Sequence, residues 1–104
     1  MTPHDDLPVG RKDDFEKRRW DLLPWKQIGS VVDVLTYGAA KYDADNWRRV
    51  PDACRRYFAA MQRHLTARLE GEVLDPETGM PHLAHACCCL IFMLALDPED
   101  GPLF

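Results

Sequence analysis

The stretch PDACRRYFAAMQRHLTARLEG, residues 51–71, decides the fold. Pro51 and Asp52 open it, and Glu70-Gly71 supply its end. Between them the apolar side chains recur at intervals of three, four and seven residues, at Cys54, Tyr57, Phe58, Met61, Leu65 and Leu69. Such intervals place side chains on one face of an α-helix. We therefore predict an amphipathic helix that packs its apolar face against other elements.

A further helix is predicted on each side of this one. From Pro24 to about residue 39, the apolar positions Trp25, Ile28, Val32 and Leu35 fit a period of 3.6 better than a strand's period of 2. The last helix begins near Pro81 and runs to about Leu96. It is apolar nearly all the way round, which is typical of a bundle centre or a subunit interface. The expected fold is all-α, a small bundle of three to four helices completed by oligomerisation as a homodimer or homotetramer.

The composition fits one domain. The chain has 104 residues, with 13 Lys+Arg against 17 Asp+Glu, which gives a formal net charge of −4. We expect a flexible polar arm at 1–19, a helical domain at 20–97 and a loose tail at 98–104. The negative net charge argues against general nucleic-acid binding, because such binding depends on many Lys/Arg contacts to phosphate.

Sequence features also indicate the compartment. The longest nearly uncharged stretch, 80–96, falls short of the roughly 20 residues that span a bilayer, so we expect no membrane segment. The start of the chain is acidic and lacks the apolar block of a secretory signal. Three consecutive cysteines, Cys87, Cys88 and Cys89, suit neither a disulfide framework nor a zinc ribbon. We expect them to be buried in a cytoplasmic protein.

Residues 64–85 concentrate three histidines and four carboxylates, namely His64, Glu70, Glu72, Asp75, Glu77, His82 and His85. The spacing Glu72-x-x-Asp75 can bring two carboxylates to one hard cation, and Mg²⁺ prefers such oxygens. Taken alone, however, this spacing is common at solvated helix ends. His82 and His85 lie three apart on one helix face, and with His64 they could instead hold Zn²⁺.

A second polar segment, KYDADNWRR, covers residues 41–49. Its cations can neutralise phosphate, a Trp face can stack on a base, and an amide can recognise a base edge. The same residues also suit an ordinary charged loop. Trp20 and Trp47 are equally reasonable as apolar anchors for the arm.

Several segments together resemble a known family. They are RWDLLP (19–24), LTYGAAKY (35–42) with NWR (46–48), RHL (63–65), GE (71–72), DPETG (75–79) and HLAHA (82–86). The chain resembles the small dATP/dGTP diphosphohydrolase domain found largely in bacteriophages, which is similar to the MazG-like all-α nucleoside triphosphate pyrophosphohydrolases. The resemblance covers roughly residues 12–96.

The resemblance implies an oligomeric enzyme that cleaves a purine deoxynucleoside triphosphate to the monophosphate and pyrophosphate with Mg²⁺ or Mn²⁺. By position, the metal ligands would be Glu72 and Asp75, with His85. The catalytic groups would be Glu77, His64 and His82, with the histidines as ligands or as acid–base groups. Lys41 and Arg48 would hold phosphates, and Asn46 and Trp47 would lie near the base. The E-E-x-x-E helix of MazG-like enzymes is absent, since Asp33 is the only acid in the first helix.

Two other hypotheses remain open at this point. The chain could be a non-enzymatic helical protein that dimerises through its last helix and binds a partner, with a purely structural histidine–acid cluster. Alternatively, it could be a zinc-dependent hydrolase that uses the three histidines. The metal requirement separates the three hypotheses.

Overall fold

The computed structural model describes residues 6–104, and within them it contains three α-helices and no strand. The helices are α1 (Trp25–Lys41), α2 (Ala53–Leu69) and α3 (His82–Leu96). Short 3-10 turns lie at Trp20–Leu22 and Asn46–Arg49. The all-α prediction is confirmed, and α1 continues two residues beyond its predicted end.

Two prolines fix where α1 and α3 begin. Pro24 precedes α1, and its carbonyl accepts hydrogen bonds from the backbone N–H groups of Gln27 and Ile28 at 3.0 Å each. Pro81 precedes α3 and accepts from Ala84 and His85 in the same way. Proline is well suited to a helix start, because the N–H that it lacks would have no partner inside the helix.

α3 is the central helix of the fold. It packs along α2 and also against α1, while α1 and α2 hardly touch each other. The core between α1 and α3 consists of Val31, Val34, Ala84 and Cys88, and the Cys88 thiol lies 3.5 Å from the Val31 carbonyl oxygen. Small residues on α3 allow this close approach of the two helices.

The predicted burial of the cysteine run is found for two of its three residues. Cys88 and Cys89 are buried, Cys87 is half-buried, and all three are free thiols.

Trp47 packs on Phe92, with ring centroids 4.6 Å apart, whereas Trp20 is 63% exposed. Trp47 therefore holds its own segment, residues 46–49, against α3.

A compact loop joins α2 to α3 and determines which side chains face the helix pair. An isolated antiparallel bridge links Leu74 to Pro81, and the Asp75 N–H donates to the Met80 carbonyl at 2.8 Å. Gly79 closes the turn at φ +73°, a left-handed conformation that glycine adopts without strain. The loop thus holds residues 75–78 against the start of α3.

Parts of the chain outside the helices are mostly exposed. Residues 6–19 are exposed throughout, and residues 1–5 of the predicted arm lie outside the described part. No helix within residues 6–104 has the length and apolarity needed to cross a bilayer.

Candidate functional site

Three histidines meet where α2 and α3 face each other. His64 comes from α2, while His82 and His85 come from the first turn of α3. The Nδ1 atoms of His64 and His82 lie 2.9 Å apart, and the rings of His64 and His85 stack with centroids 4.6 Å apart. The predicted proximity of the three histidines is therefore present in the structure.

The α2–α3 loop adds carboxylates to this cluster. Asp75 Oδ1 accepts a hydrogen bond from the Glu77 N–H at 2.7 Å, while Oδ2 lies 3.8 Å from His64 Nδ1 and 3.9 Å from His85 Nε2. Glu72 Oε1 lies 2.7 Å from His82 Nε2. Glu72 and Asp75 therefore contact different histidines in the structure.

The pKa values in the cluster follow from burial and from neighbouring charge. Burial lowers the pKa of His64 and of His85, and for His64 the neighbouring His85 adds to the effect. Burial alone would raise the pKa of Asp75, but the Glu77 N–H and the two histidines together bring it below its ordinary value. These shifts favour neutral His64 and His85 beside an ionised Asp75.

A cavity of about 630 Å³ opens beside the cluster. Its polar end includes His64, Asp75, Glu77, Thr78 and His85, and Lys41 lies at the same end with Nζ 3.3 Å from Glu77 Oε1. The rest of the wall is mainly apolar and aromatic. It includes Val34, Leu35, Trp47, Tyr57, Ile91 and Phe92. A polar end joined to an apolar chamber is the usual form of a small-molecule site.

The segment predicted to bind a nucleotide is only partly on this cavity. Lys41, Asn46 and Trp47 line it, whereas Arg48 is not among the lining residues. The Arg48 guanidinium lies 4.2 Å from the Trp47 ring centroid, and its Nε is 3.3 Å from Asp45. Since Phe92 also stacks on Trp47, that ring is already in contact with two protein neighbours.

Three site residues were missed by the sequence reasoning. Tyr57 and Phe92 line the cavity, and Thr78 Oγ1 lies 2.7 Å from His85 Nε2. Helical spacing could have found the aromatic pair. Tyr57 lies seven residues before His64, and Phe92 lies seven residues after His85, so each shares a helix face with a site histidine.

One group of side chains in residues 6–104 is placed to hold a metal ion. It consists of His64, Asp75 and His82, whose ligand atoms all lie within 4.8 Å of one another. The predicted ligands Glu72 and His85 are not members of this group. Both residues lie next to this group, where Glu72 is hydrogen-bonded to His82 and His85 is hydrogen-bonded to Thr78.

The fold and the site together define a helical domain with a small-molecule pocket beside a histidine–carboxylate cluster. Within that class, the chain belongs to the family described as "dATP/dGTP diphosphohydrolase, N-terminal", whose model matches residues 8–101.

A relative from a bacteriophage is also similar to the chain. It is a protein of Salmonella phage PMBT28 named "dATP/dGTP diphosphohydrolase", 32% identical over 88 residues. Those residues are 85% of this chain and 30% of the phage protein, so the chain spans about a third of that relative's length. No solved structure matches the chain.

Proposed function

We propose that this chain hydrolyses a purine deoxynucleoside triphosphate, dATP or dGTP, to the monophosphate and pyrophosphate. The family and the name of the phage relative support the reaction class. The observation that carries the proposal is the single cavity that joins Lys41 and the histidine–carboxylate cluster to an aromatic wall. Its volume of about 630 Å³ lies within the usual range for small-molecule sites.

The two ends of the cavity suit the two ends of a nucleotide. Lys41 brings a positive charge to the polar end, where it attracts phosphate oxygens. Asn46 offers an amide beside the aromatic residues Trp47, Tyr57 and Phe92, and aromatic side chains give a purine base a surface for stacking. We therefore assign the triphosphate to the Lys41 end and the base to the Asn46–Trp47 end.

In the proposed reaction a water attacks the α-phosphorus, the bond to the β-phosphate oxygen breaks, and pyrophosphate leaves. We assign Glu77 as the carboxylate that orients the water and takes its proton, because it lines the polar end and lies next to Lys41. His64 lines the same end and acts there as an acid–base group or a metal ligand. His82 does not line the cavity, and it acts through His64, its neighbour at 2.9 Å, or as a metal ligand. Bound Mg²⁺ or Mn²⁺ would supply charge neutralisation on the phosphates.

The experiment that tests the proposal measures pyrophosphate release from a panel of dNTPs and NTPs. The purified chain is incubated with Mg²⁺, Mn²⁺, Zn²⁺ or EDTA. We expect metal-dependent release confined to one or two purine deoxynucleotides. Release from no nucleotide with any metal, by protein that is folded by circular dichroism, would refute the proposal and favour the non-enzymatic interaction protein.

We also propose that two copies of the chain associate through α3. This helix has no Asp, Glu, Lys or Arg between residues 82 and 96. Its residues Leu83, Leu90 and Leu94 are 55%, 54% and 78% exposed, and none of them lines the cavity. Within residues 6–104 no large side chain is completely buried, so the single chain has a thin core. A second copy presents the same uncharged stripe and can cover it without charge repulsion.

A further inference from the structure

The bonds around His82 fix which of its nitrogens is free to act as a ligand. His82 Nε2 lies 2.7 Å from Glu72 Oε1. An ionised carboxylate only accepts hydrogen bonds, so Nε2 carries the proton and donates it to Glu72. In the neutral ring the other nitrogen, Nδ1, then holds a lone pair. That lone pair faces His64.

His64 places a second nitrogen against this lone pair. The two Nδ1 atoms are 2.9 Å apart, which is a hydrogen-bond distance, and with the proton of His82 on Nε2 the donor of this bond is His64 Nδ1. Two imidazole nitrogens bound at 2.0–2.1 Å to one ion are separated by roughly 2.9–3.4 Å, depending on the ligand angle. The pair thus already has a spacing suited to sharing an ion, with the proton of His64 moved to its Nε2.

Asp75 completes the donor set from the loop. Its Oδ1 is held by the Glu77 N–H at 2.7 Å, which leaves Oδ2 directed at the histidines, 3.8 Å from His64 Nδ1. The side chain of Asp75 is 14% exposed, and His82 is 4% exposed. A carboxylate that is largely shielded from solvent beside two imidazoles is a strong combination for a dication, because the ion offsets the cost of desolvating the negative charge.

The neighbours of the site resemble the outer shell of known metal centres in one respect. A ligating histidine commonly donates its second N–H to a carboxylate, which fixes its tautomer and orients its ring. Glu72 does this for His82. His85 has a different partner, since its Nε2 lies 2.7 Å from Thr78 Oγ1. This arrangement makes Glu72 a supporting residue and leaves His85 outside the donor set.

We propose that His64 Nδ1, His82 Nδ1 and Asp75 Oδ2 bind one divalent transition-metal ion, of the class of Zn²⁺, Co²⁺ or Mn²⁺, with Glu72 as the carboxylate that supports His82. Two nitrogen donors with one oxygen favour these ions over Mg²⁺, which prefers oxygen ligands alone, so of the two ions named for the proposed hydrolysis this site favours Mn²⁺. Three protein donors leave at least one coordination position for water or substrate. The proposal is independent of the proposed hydrolysis, because the metal alone tests it.

The test is a titration of the chelator-treated chain with Co²⁺ and Zn²⁺, followed by calorimetry and by the visible absorption of Co²⁺. We expect one ion per chain, with a Co²⁺ spectrum typical of nitrogen and oxygen donors, and much weaker binding of Mg²⁺. His64→Gln and Asp75→Asn should each raise the Kd by more than about 100-fold. Glu72→Ala should raise it by about 10- to 100-fold, the loss typical of an outer-shell substitution.

Matched controls distinguish this site from its surroundings. His85→Gln removes a neighbouring histidine and Glu77→Gln a neighbouring carboxylate, and both should leave the Kd for Co²⁺ within about threefold of the unchanged chain. Equal losses from His85→Gln and His64→Gln, or Mg²⁺ binding as tight as Zn²⁺ binding, would overturn the proposal. His82 is nearly fully buried, so His82→Gln is not required for the test. If that variant does not fold, Glu72→Ala at the half-exposed neighbour reports on the same histidine.

Discussion

Lys41 is the cation placed at the polar end of the cavity, where it pairs with Glu77 at 3.3 Å. If it binds the triphosphate, Lys41→Met should lower kcat/KM by about 10- to 100-fold, the usual loss for a hydrogen bond to a charged group. This loss should appear mainly as a higher KM, with little change in kcat. Steady-state kinetics with dATP and dGTP measure it.

Lys26 provides the control for that experiment. It lies in the first turn of α1, is exposed, and is not among the residues that line the cavity. Lys26→Met should leave both kinetic constants unchanged. Equal effects of the two substitutions would show that Lys41 acts through general charge alone.

Two of the thiols, those of Cys88 and Cys89, are buried. Burial raises the pKa of Cys88 to about 12 and that of Cys89 to about 11. Since the thiolate is the reactive form, these two should resist alkylation in the folded protein at mildly alkaline pH. Mass spectrometry after brief iodoacetamide treatment should find label on Cys54 and Cys87 first. Rapid label on all four would mean that α3 is not packed as described.

The lowered pKa values of the histidines predict a loss of stability in mild acid. Below the ordinary histidine pKa of 6.5, the unfolded chain takes up protons that the half-buried His64 and His85 do not. The contribution of the neutral His64 and His85 to the free energy of unfolding is therefore complete above about pH 6.5. It is lost as the pH falls through the pKa values of these histidines in the folded protein. Urea unfolding in EDTA between about pH 7.5 and pH 5 measures it.

The substitution His85→Gln checks the origin of this effect. It removes one of the two groups, so the free energy of unfolding should change less with pH than in the unchanged chain. A pH dependence of the same size in both proteins would assign the effect to other groups. Asp75 is not one of them, since its lowered pKa acts below its ordinary value of 3.8.

At the scale of elements, the loop between α2 and α3 depends on backbone conformation. Gly79 has φ +73°, with open space around its Cα. Gly79→Ala should therefore cost about 1–2 kcal/mol through left-handed strain alone. Because the Gly79 N–H also bonds the Asp75 carbonyl at 2.7 Å, a shifted turn should weaken metal binding as well. Thermal unfolding measures the first effect.

A glycine-to-alanine substitution inside a helix should have the opposite effect on stability. Gly29 lies inside α1 and also has open space around its Cα. There alanine loses less conformational freedom on folding than glycine, so Gly29→Ala should stabilise the chain by about 0.5–1 kcal/mol. If both substitutions destabilised the chain, the strain argument for the loop would lose its support.

At the scale of the whole molecule, the exposed stripe of α3 is the surface through which we propose that two copies associate. Leu90→Lys places a charge in the proposed interface and should convert a dimer into a monomer, measured by sedimentation velocity. Leu7→Lys is the control, because Leu7 is similarly exposed, at 63%, but lies in the polar segment before the helices. A monomeric unchanged chain would refute the proposed association.

The cavity is also a property of the whole molecule. Its wall combines α1, the 42–47 segment, α2, the α2–α3 loop and α3. None of these elements encloses space by itself. Binding of a nucleotide should therefore stabilise the chain against unfolding as a unit, by an amount that rises with the logarithm of the ligand concentration above the Kd.

The sequence by itself determined the three helices and, apart from the end of α1, their approximate limits. The spacing of apolar residues in 51–71 defined α2, and prolines marked the starts of α1 and α3, because these are local properties of the backbone and its side chains. The sequence also brought the histidines and acids of 64–85 to attention, since they lie close together along the chain.

Only the tertiary structure decided how those polar groups pair. Glu72-x-x-Asp75 suggested two carboxylates on one cation, yet the loop turns at Gly79 so that Glu72 contacts His82 and Asp75 faces His64 and His85. Ring orientation and hydrogen-bond partners depend on how two helices and a loop pack against each other. The sequence specifies which donors are available, and the packing selects which of them share a site.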